Sequence, residues 1–362
     1  MDTWARQGSA TKTCAPPAAN LTRAGHQART AALRSRHARL HVFHGTDRRN
    51  MLAAFLSLIP IFLLILLGFA LRKGGFVPME QWRGVEQICY WLLFPALLIL
   101  SLVRAELSIG ALRGYVYGLF AMIVTMTVLM WLLRMPLRRW LDMRGPTYSS
   151  LFQTVTRWNG FIAMAIIDKL YGEPGVTILA IAFAVMIPYL NVVNILVLAT
   201  YAGRTRATPR MILLAMVKNP LILAVLIGLA INLLRIPLPS PLMTTLELLG
   251  RGALGMTLLA LGAGLQWRAV KAAGPEIGLS IGLRLLGMPA VALACGLLFG
   301  VTGTPLVIMI IAAAVPTAVN GYVLARAMGG DAEYYAAAAT AQVMLSFVTL
   351  PVIIWLAMRI AG

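Results

Sequence analysis

Charge is scarce in this chain. Only 12% of its 362 residues are Asp, Glu, Lys or Arg, against about a quarter in a typical soluble domain. With 60% apolar residues and a mean hydropathy of +0.82, the chain belongs in a bilayer. Histidine is missing where chemistry would need it: His26, His37, His41 and His44 all fall before Met51. Histidine catalysis and histidine metal ligation are therefore excluded from the apolar body. Cys14, Cys89 and Cys295 lie far apart and make neither a disulfide nor a metal pattern. No P-loop is present, which excludes an internal ATP motor. No cofactor, metal or catalytic residue is expected.

What charge there is has one sign. The net charge is +19, but this does not imply a nucleic-acid partner, because membrane proteins concentrate Lys and Arg in cytoplasmic loops. Residues 1–50 hold nine of the 31 basic residues against two acids, Asp2 and Asp47, and no apolar run of signal-peptide length. Met51 then opens "MLAAFLSLIPIFLLILLGFAL". Three readings of the basic extension compete: an upstream start wrongly chosen, a disordered tail, or an Arg-rich transit peptide. The topology favours the first.

A helix needs roughly 20 apolar residues to cross the hydrocarbon core. Ten such runs lie near 52–71, 87–103, 112–133, 148–170, 175–200, 213–234, 247–265, 277–300, 304–326 and 334–358. Fourteen Lys and Arg fall in or near the borders of the odd-numbered connections, and five in or near those of the even-numbered ones or in the carboxyl tail. The positive-inside rule then places the odd connections in the cytoplasm and both termini outside. A basic leader on the outside contradicts that rule; a start at Met51 removes the conflict.

The spacing holds a repeat. Pro60 and Gly68 in the first run match Pro220 and Gly228 in the sixth at an offset of 160. Glu86 and Glu247, and then Asn159 and Asn320, match at 161. Five spans per half is an odd number, so the second half enters from the opposite side. The expected organisation is an all-α integral membrane protein of ten helices in two inverted five-helix repeats. The repeats cover 51–203 and 219–362, with a cytoplasmic linker over 204–218. This architecture belongs to secondary transporters, with the site near the midplane between discontinuous helices.

The repeat also explains why "RWNGFIAM" (157–164) and "AVNGYVLA" (318–325) place the turn dipeptide Asn-Gly in apolar runs. Non-helical backbone is tolerated at membrane depth where protein or a water-filled cavity satisfies it. Asn159-Gly160 and Asn320-Gly321 are expected to break the fourth and ninth spans face to face. Freed N–H groups and half-helix N-termini attract anions. Pro316 and Thr317 help open the ninth span. Arg157 either snorkels to the surface or meets a substrate carboxylate. Asn194 and Gln342 are weaker substrate-site candidates; these two and Asn191 fit the commoner role of interhelical hydrogen-bond glue. Glu86 and Glu247 read as solvated span ends, with a proton-coupling role as the weaker alternative, and Asp168 with Lys169 reads as a surface pair. "GRGALG" (250–255) has the spacing of a dinucleotide fingerprint, but it lies within a membrane helix and follows no strand. Close helix packing is its better reading.

With these residues in hand, the chain resembles the auxin efflux carrier family, and within it the bacterial branch that includes malonate and malate permeases. The resemblance runs from Met51 to the carboxyl end. It rests on "YWLLFPALLILSL", "RWNGFIAM", "KNPLILAVLIGL" and above all "AAAVPTAVNGYVLARAMGGD". It implies crossed, broken fourth and ninth helices, elevator-type movement of a transport domain against a scaffold, and a homodimer. By similarity Asn159, Pro316 and Asn320 fall on or beside the crossover. The chain departs from the family in lacking a proline shortly after the fourth-span Asn-Gly, where Ala165 stands, and in the seventh span around Gly255-Met256. An asymmetric crossover is expected, more sharply broken in the ninth helix.

The expected function is transport of small organic anions, mono- or dicarboxylates, across a bacterial inner membrane. Whether H+ or Na+ is coupled stays open. A sodium-coupled symporter on a related fold is the near alternative, although no Asp or Glu lies within eight residues of Asn159. An enzyme needs a positioned acid, base or nucleophile, and a sensor usually carries a soluble output domain; neither is apparent.

Overall fold

The computed structural model describes residues 47–105, 112–203, 208–267, 270, 274, 276–319 and 321–361. Asn320 and residues 1–46 of the basic extension lie outside the described residues. The chain divides into the units Met1–Asn50 and Met51–Gly362, and the larger unit carries the site.

Every regular element among the described residues is helical. The first stretch contains α1 (Asp47–Lys73), α2 (Met79–Val103), α3 (Arg113–Trp140), α4 (Gly145–Thr156) and α5 (Gly160–Tyr201). The second contains α6 (Pro209–Val217), α7 (Pro220–Leu233), α8 (Ser240–Ala263), α9 (Glu276–Leu298), α10 (Gly303–Ala314), α11 (Gly321–Met328) and α12 (Ala332–Ala361). Helices α2 and α9 each widen for a turn, at Cys89–Leu93 and Gly282–Gly287, just before Pro95 and Pro289. A proline ring clashes with the carbonyl one turn back and offers it no N–H. A widened turn absorbs both faults without ending the helix.

Six helical runs among the described residues are long and apolar enough to cross a membrane, or seven if α6 and α7 count as one. One of these runs, Gly145–Tyr201, spans 57 residues. At 1.5 Å per residue a straight helix of that length would reach roughly 85 Å, far beyond a hydrocarbon core of about 30 Å. The chain resolves the excess by breaking at Arg157–Asn159 and turning at Gly172, whose φ of 60° is a conformation that glycine adopts without strain. The run expected over 213–234 is likewise two helices. α6 and α7 meet at 60°, and Asn219 caps the second with its Oδ1, accepting from the N–H groups of Leu221 and Ile222 at 3.0 and 3.3 Å. Most of the stretch read as a linker is therefore the helix α6.

Burial sorts the helices. Every residue from Tyr148 to Thr156 in α4 and from Leu306 to Ala314 in α10 is buried, so both short helices lie inside the bundle. Only there can α4 carry Ser149, Ser150, Gln153, Thr154 and Thr156 without facing lipid. The outer helices expose Leu63, Trp131, Leu226 and Val348 instead, side chains at ease in hydrocarbon. Two close helix contacts hold the periphery. Gly68 of α1 and Gly262 of α8 face each other's helix so tightly that a Cβ on either would strike the backbone of Leu259 or Ile65. Gly228 of α7 packs on Leu102 and Ile99 of α2. In "GRGALG" Gly250 lies only in ordinary van der Waals contact with Leu97, and Gly252 and Gly255 face open space.

Candidate functional site

The two interruptions are built alike. After Thr156 the Arg157 N–H still closes a helical bond to Gln153 at 2.9 Å, but its backbone is extended (φ −69°, ψ 149°). After Ala314 the Val315 N–H bonds to Ile311 at 3.1 Å, and Val315 is extended too (φ −63°, ψ 147°). The second case follows from Pro316, since a proline drives its predecessor out of the helical region. In the first, Asn159 restarts the chain as a helix cap: its Oδ1 accepts from the Ile162 N–H at 3.2 Å. The second break is the longer, with residues 315–319 non-helical against 157–159 in the first.

The breaks touch. The Asn159 N–H donates to the Pro316 carbonyl at 2.8 Å, so the C-terminal ends of α4 and α10 meet the starts of α5 and α11. Around that bond lies a set of buried polar groups. Gln342 of α12 accepts from the Thr317 N–H at 2.8 Å through Oε1. Its Nε2 donates to the Thr154 carbonyl at 3.1 Å and the Ser280 hydroxyl at 2.9 Å. Tyr335 donates to the Ala318 carbonyl at 2.7 Å and contacts the Thr317 hydroxyl at 3.1 Å. Gly321 lies against that tyrosine hydroxyl, leaving no room for a Cβ.

Arg284 of α9 is the residue that the sequence reading missed. It is 0% exposed, and its guanidinium donates to the carbonyls of Val315 (2.8 Å), Val155 (3.2 Å) and Ala312 (3.2 Å). A signal was available, since Arg284 is the one Lys or Arg inside the run 277–300, and an intramembrane charge marks function by default. Counting basic residues only in the connections passed over it.

Two cavities flank the crossing. The larger, about 100 Å³, is lined by Arg157, Asn159, Gly160, Asn191 and Asn219 with Tyr90, Trp158, Phe161 and Phe183. It lies at the N-terminus of α5, where backbone N–H groups and the helix dipole favour negative charge. Arg157 is half-buried there, and its Nη1 is buried without a hydrogen-bond partner. Among the described residues no carboxylate lines this cavity. The smaller, about 60 Å³, shares Tyr90, Asn159, Phe161 and Ala318 and adds Glu86, Cys89 and Thr257. Glu86, read as a solvated span end, thus lines a cavity with Asn159 although 73 positions separate them.

The other candidates fall as follows. Asn194 is buried on the seam of α4 and α5: its Nδ2 donates to the Leu190 carbonyl at 2.7 Å and its Oδ1 accepts from Thr156 at 3.3 Å. Asn191, one turn earlier, faces the larger cavity. Arg157, Asn159, Gly160, Pro316, Thr317, Gly321 and Gln342 all belong to the crossing or its immediate support. Ser150 and both amide atoms of Gln153 are buried without a partner on α4, unusual enough in a folded protein to mark a polar interior surface. Glu247 and Asp168 line a separate vestibule of about 880 Å³ beside Arg104, Glu173 and Arg251. There Glu247 pairs with Arg104 and lies 4.0 Å from Arg251, and Arg104 also meets Glu173 at 3.1 Å.

A model of the family described as membrane transport protein matches residues 199–354. A protein of Methanothermobacter thermautotrophicus described as an uncharacterized transporter is 24% identical over 309 residues, covering 82% of this chain and 95% of that protein. With the apolar helices, these matches indicate a multi-pass integral membrane protein that is similar, over residues 199–354, to the family described as membrane transport protein. They point to transport rather than catalysis.

Proposed function

We propose that this chain is a secondary carrier of small organic anions, mono- or dicarboxylates, with its site in the cavity beside the crossed breaks. The observation that carries the reading is Arg157: among the described residues, a half-buried guanidinium with an unpaired N–H, in a cavity without a carboxylate, at a helix N-terminus. A carboxylate completes that N–H as a charge-assisted hydrogen bond. Asn159, Asn191 and Asn219 add neutral donors and acceptors. The aromatic wall suits a short apolar stem.

The architecture we infer has ten spans. α4 with the first part of α5 forms the fourth, the part of α5 beyond Gly172 the fifth, α6 with α7 the sixth, and α10 with α11 the ninth. Two inverted halves then exchange α1 with α7 and α2 with α8. That exchange carries the Gly68 contact between α1 and α8 onto the Gly228 contact between α7 and α2, which supports the repeat. These four helices form the scaffold, and the helices around the crossing form the moving unit of an elevator. A homodimer in a bacterial inner membrane, odd connections inside, completes the reading.

The test is thermal unfolding of the purified protein with carboxylates and matched neutral amides. A ligand at a hundred times its Kd stabilises by about 2.7 kcal/mol if it binds only the native state. Carboxylates alone should raise the midpoint, and Arg157→Gln should abolish the rise. Equal stabilisation by amides, or an unchanged response in the variant, would refute the site.

A further inference from the structure

Arg284 has an unusual set of partners for a buried cation. A buried charge commonly brings an opposite charge with it, yet no Asp or Glu forms an ion pair with Arg284 among the described residues. Its three hydrogen bonds all go to backbone carbonyls. Val155 lies in the last turn of α4, Ala312 in the last turn of α10, and Val315 is the first residue of the second break. Carbonyls in the last turn of a helix lack an intrahelical partner and carry the negative pole of the helix dipole. One guanidinium therefore neutralises both poles and ties together two helices that lie far apart in sequence.

In carriers with broken helices, carbonyls at half-helix C-termini and in unwound segments are the groups that coordinate a coupling cation. Here such carbonyls are already occupied by a side chain. A Na+ at the same place would lose these oxygen ligands to Arg284 and face a like charge at contact distance.

We propose that Arg284 is a tethered cation that stands in for a bound one: it holds the carbonyl ends of α4 and α10, so that the anion site forms without Na+. This deepens the carrier reading, on which it rests, by assigning the site's ion requirement to one residue. Arg284 is a positioning residue; its bonds are to the backbone that frames the site.

The experiment measures carboxylate affinity and the ligand-free unfolding midpoint in NaCl, KCl and choline chloride at equal ionic strength, for wild type, Arg284→Lys and Arg284→Met. Wild-type affinity should agree within twofold across the three salts. Arg284→Lys keeps the charge and should bind within tenfold of wild type in choline. Arg284→Met vacates the carbonyls: its affinity should fall more than tenfold in choline, and Na+ or methylguanidinium should raise its ligand-free midpoint while leaving that of wild type unmoved. That rescue separates a cation site from a merely packed side chain. Wild-type binding that needs Na+ would overturn the proposal. So would an Arg284→Met midpoint indifferent to every cation, or an Arg284→Lys variant that loses binding in choline. Should Arg284→Met not fold, wild type and Arg284→Lys still decide. If no carboxylate binds wild type in any salt, the anion reading fails, and the ligand-free midpoints still judge Arg284 as a cation substitute.

Discussion

Asn159 does two jobs with one residue. Its backbone N–H joins the two breaks, and its side chain caps α5. Asn159→Ala removes only the second and should cost about 1 kcal/mol of stability, within the usual range for a lost cap; chemical denaturation reads this. Asn159→Asp keeps the cap acceptor and adds a negative charge to the cavity, so stability should hold while carboxylate affinity falls; titration calorimetry separates the two effects. Glu86→Gln removes the carboxylate of the neighbouring cavity and should tighten anion binding by lifting a like-charge repulsion. The break at Asn159-Gly160 was legible in the sequence because turn chemistry in an apolar run is a visible contradiction. Glu86 was not. Its role depends on how α2 rotates to face Asn159, and no spacing along one strand of sequence reports that angle.

The broken helices follow from local rules. Pro316 fixes the exit from α10, and Asn159 fixes the entry to α5. The glycine contacts are just as local. Gly262→Ala places a methyl group against the Ile65 backbone, which cannot yield as a flexible side chain would. The helices must part, at a cost of about 1–3 kcal/mol, and thermal unfolding in detergent measures it. The same substitution at Gly252, which faces open space, should be neutral or slightly stabilising because alanine is the better helix former. Hydropathy alone found most of the apolar runs but not their internal joints. "KNP" before α7 reads equally as the end of a loop, and only the 60° angle between α6 and α7 makes it a bend. The run through Gly172 hides a turn in the same way, since the residues on either side are all acceptable in a helix.

Composition alone placed the chain in a bilayer, and the polar interior of α4 shows what the bilayer encloses. An apolar exterior bearing Leu63, Trp131, Leu226 and Val348 surrounds a centre that holds Arg284, Gln342 and Gln153. Such a centre is of little use to a passive anchor. It suits a protein that must pass something polar through hydrocarbon. The similarity of residues 199–354 to the membrane transport protein family agrees with that reading, while the proposed anion preference rests on Arg157 and its cavity. The most direct test is exchange in proteoliposomes: the purified protein is loaded inside with unlabelled succinate, and entry of labelled succinate is followed beside labelled succinamide. The account predicts rapid, saturable succinate exchange, lost in Arg157→Gln, with no succinamide entry above protein-free vesicles. Equal entry of both compounds, or succinate exchange unchanged in Arg157→Gln, would contradict it.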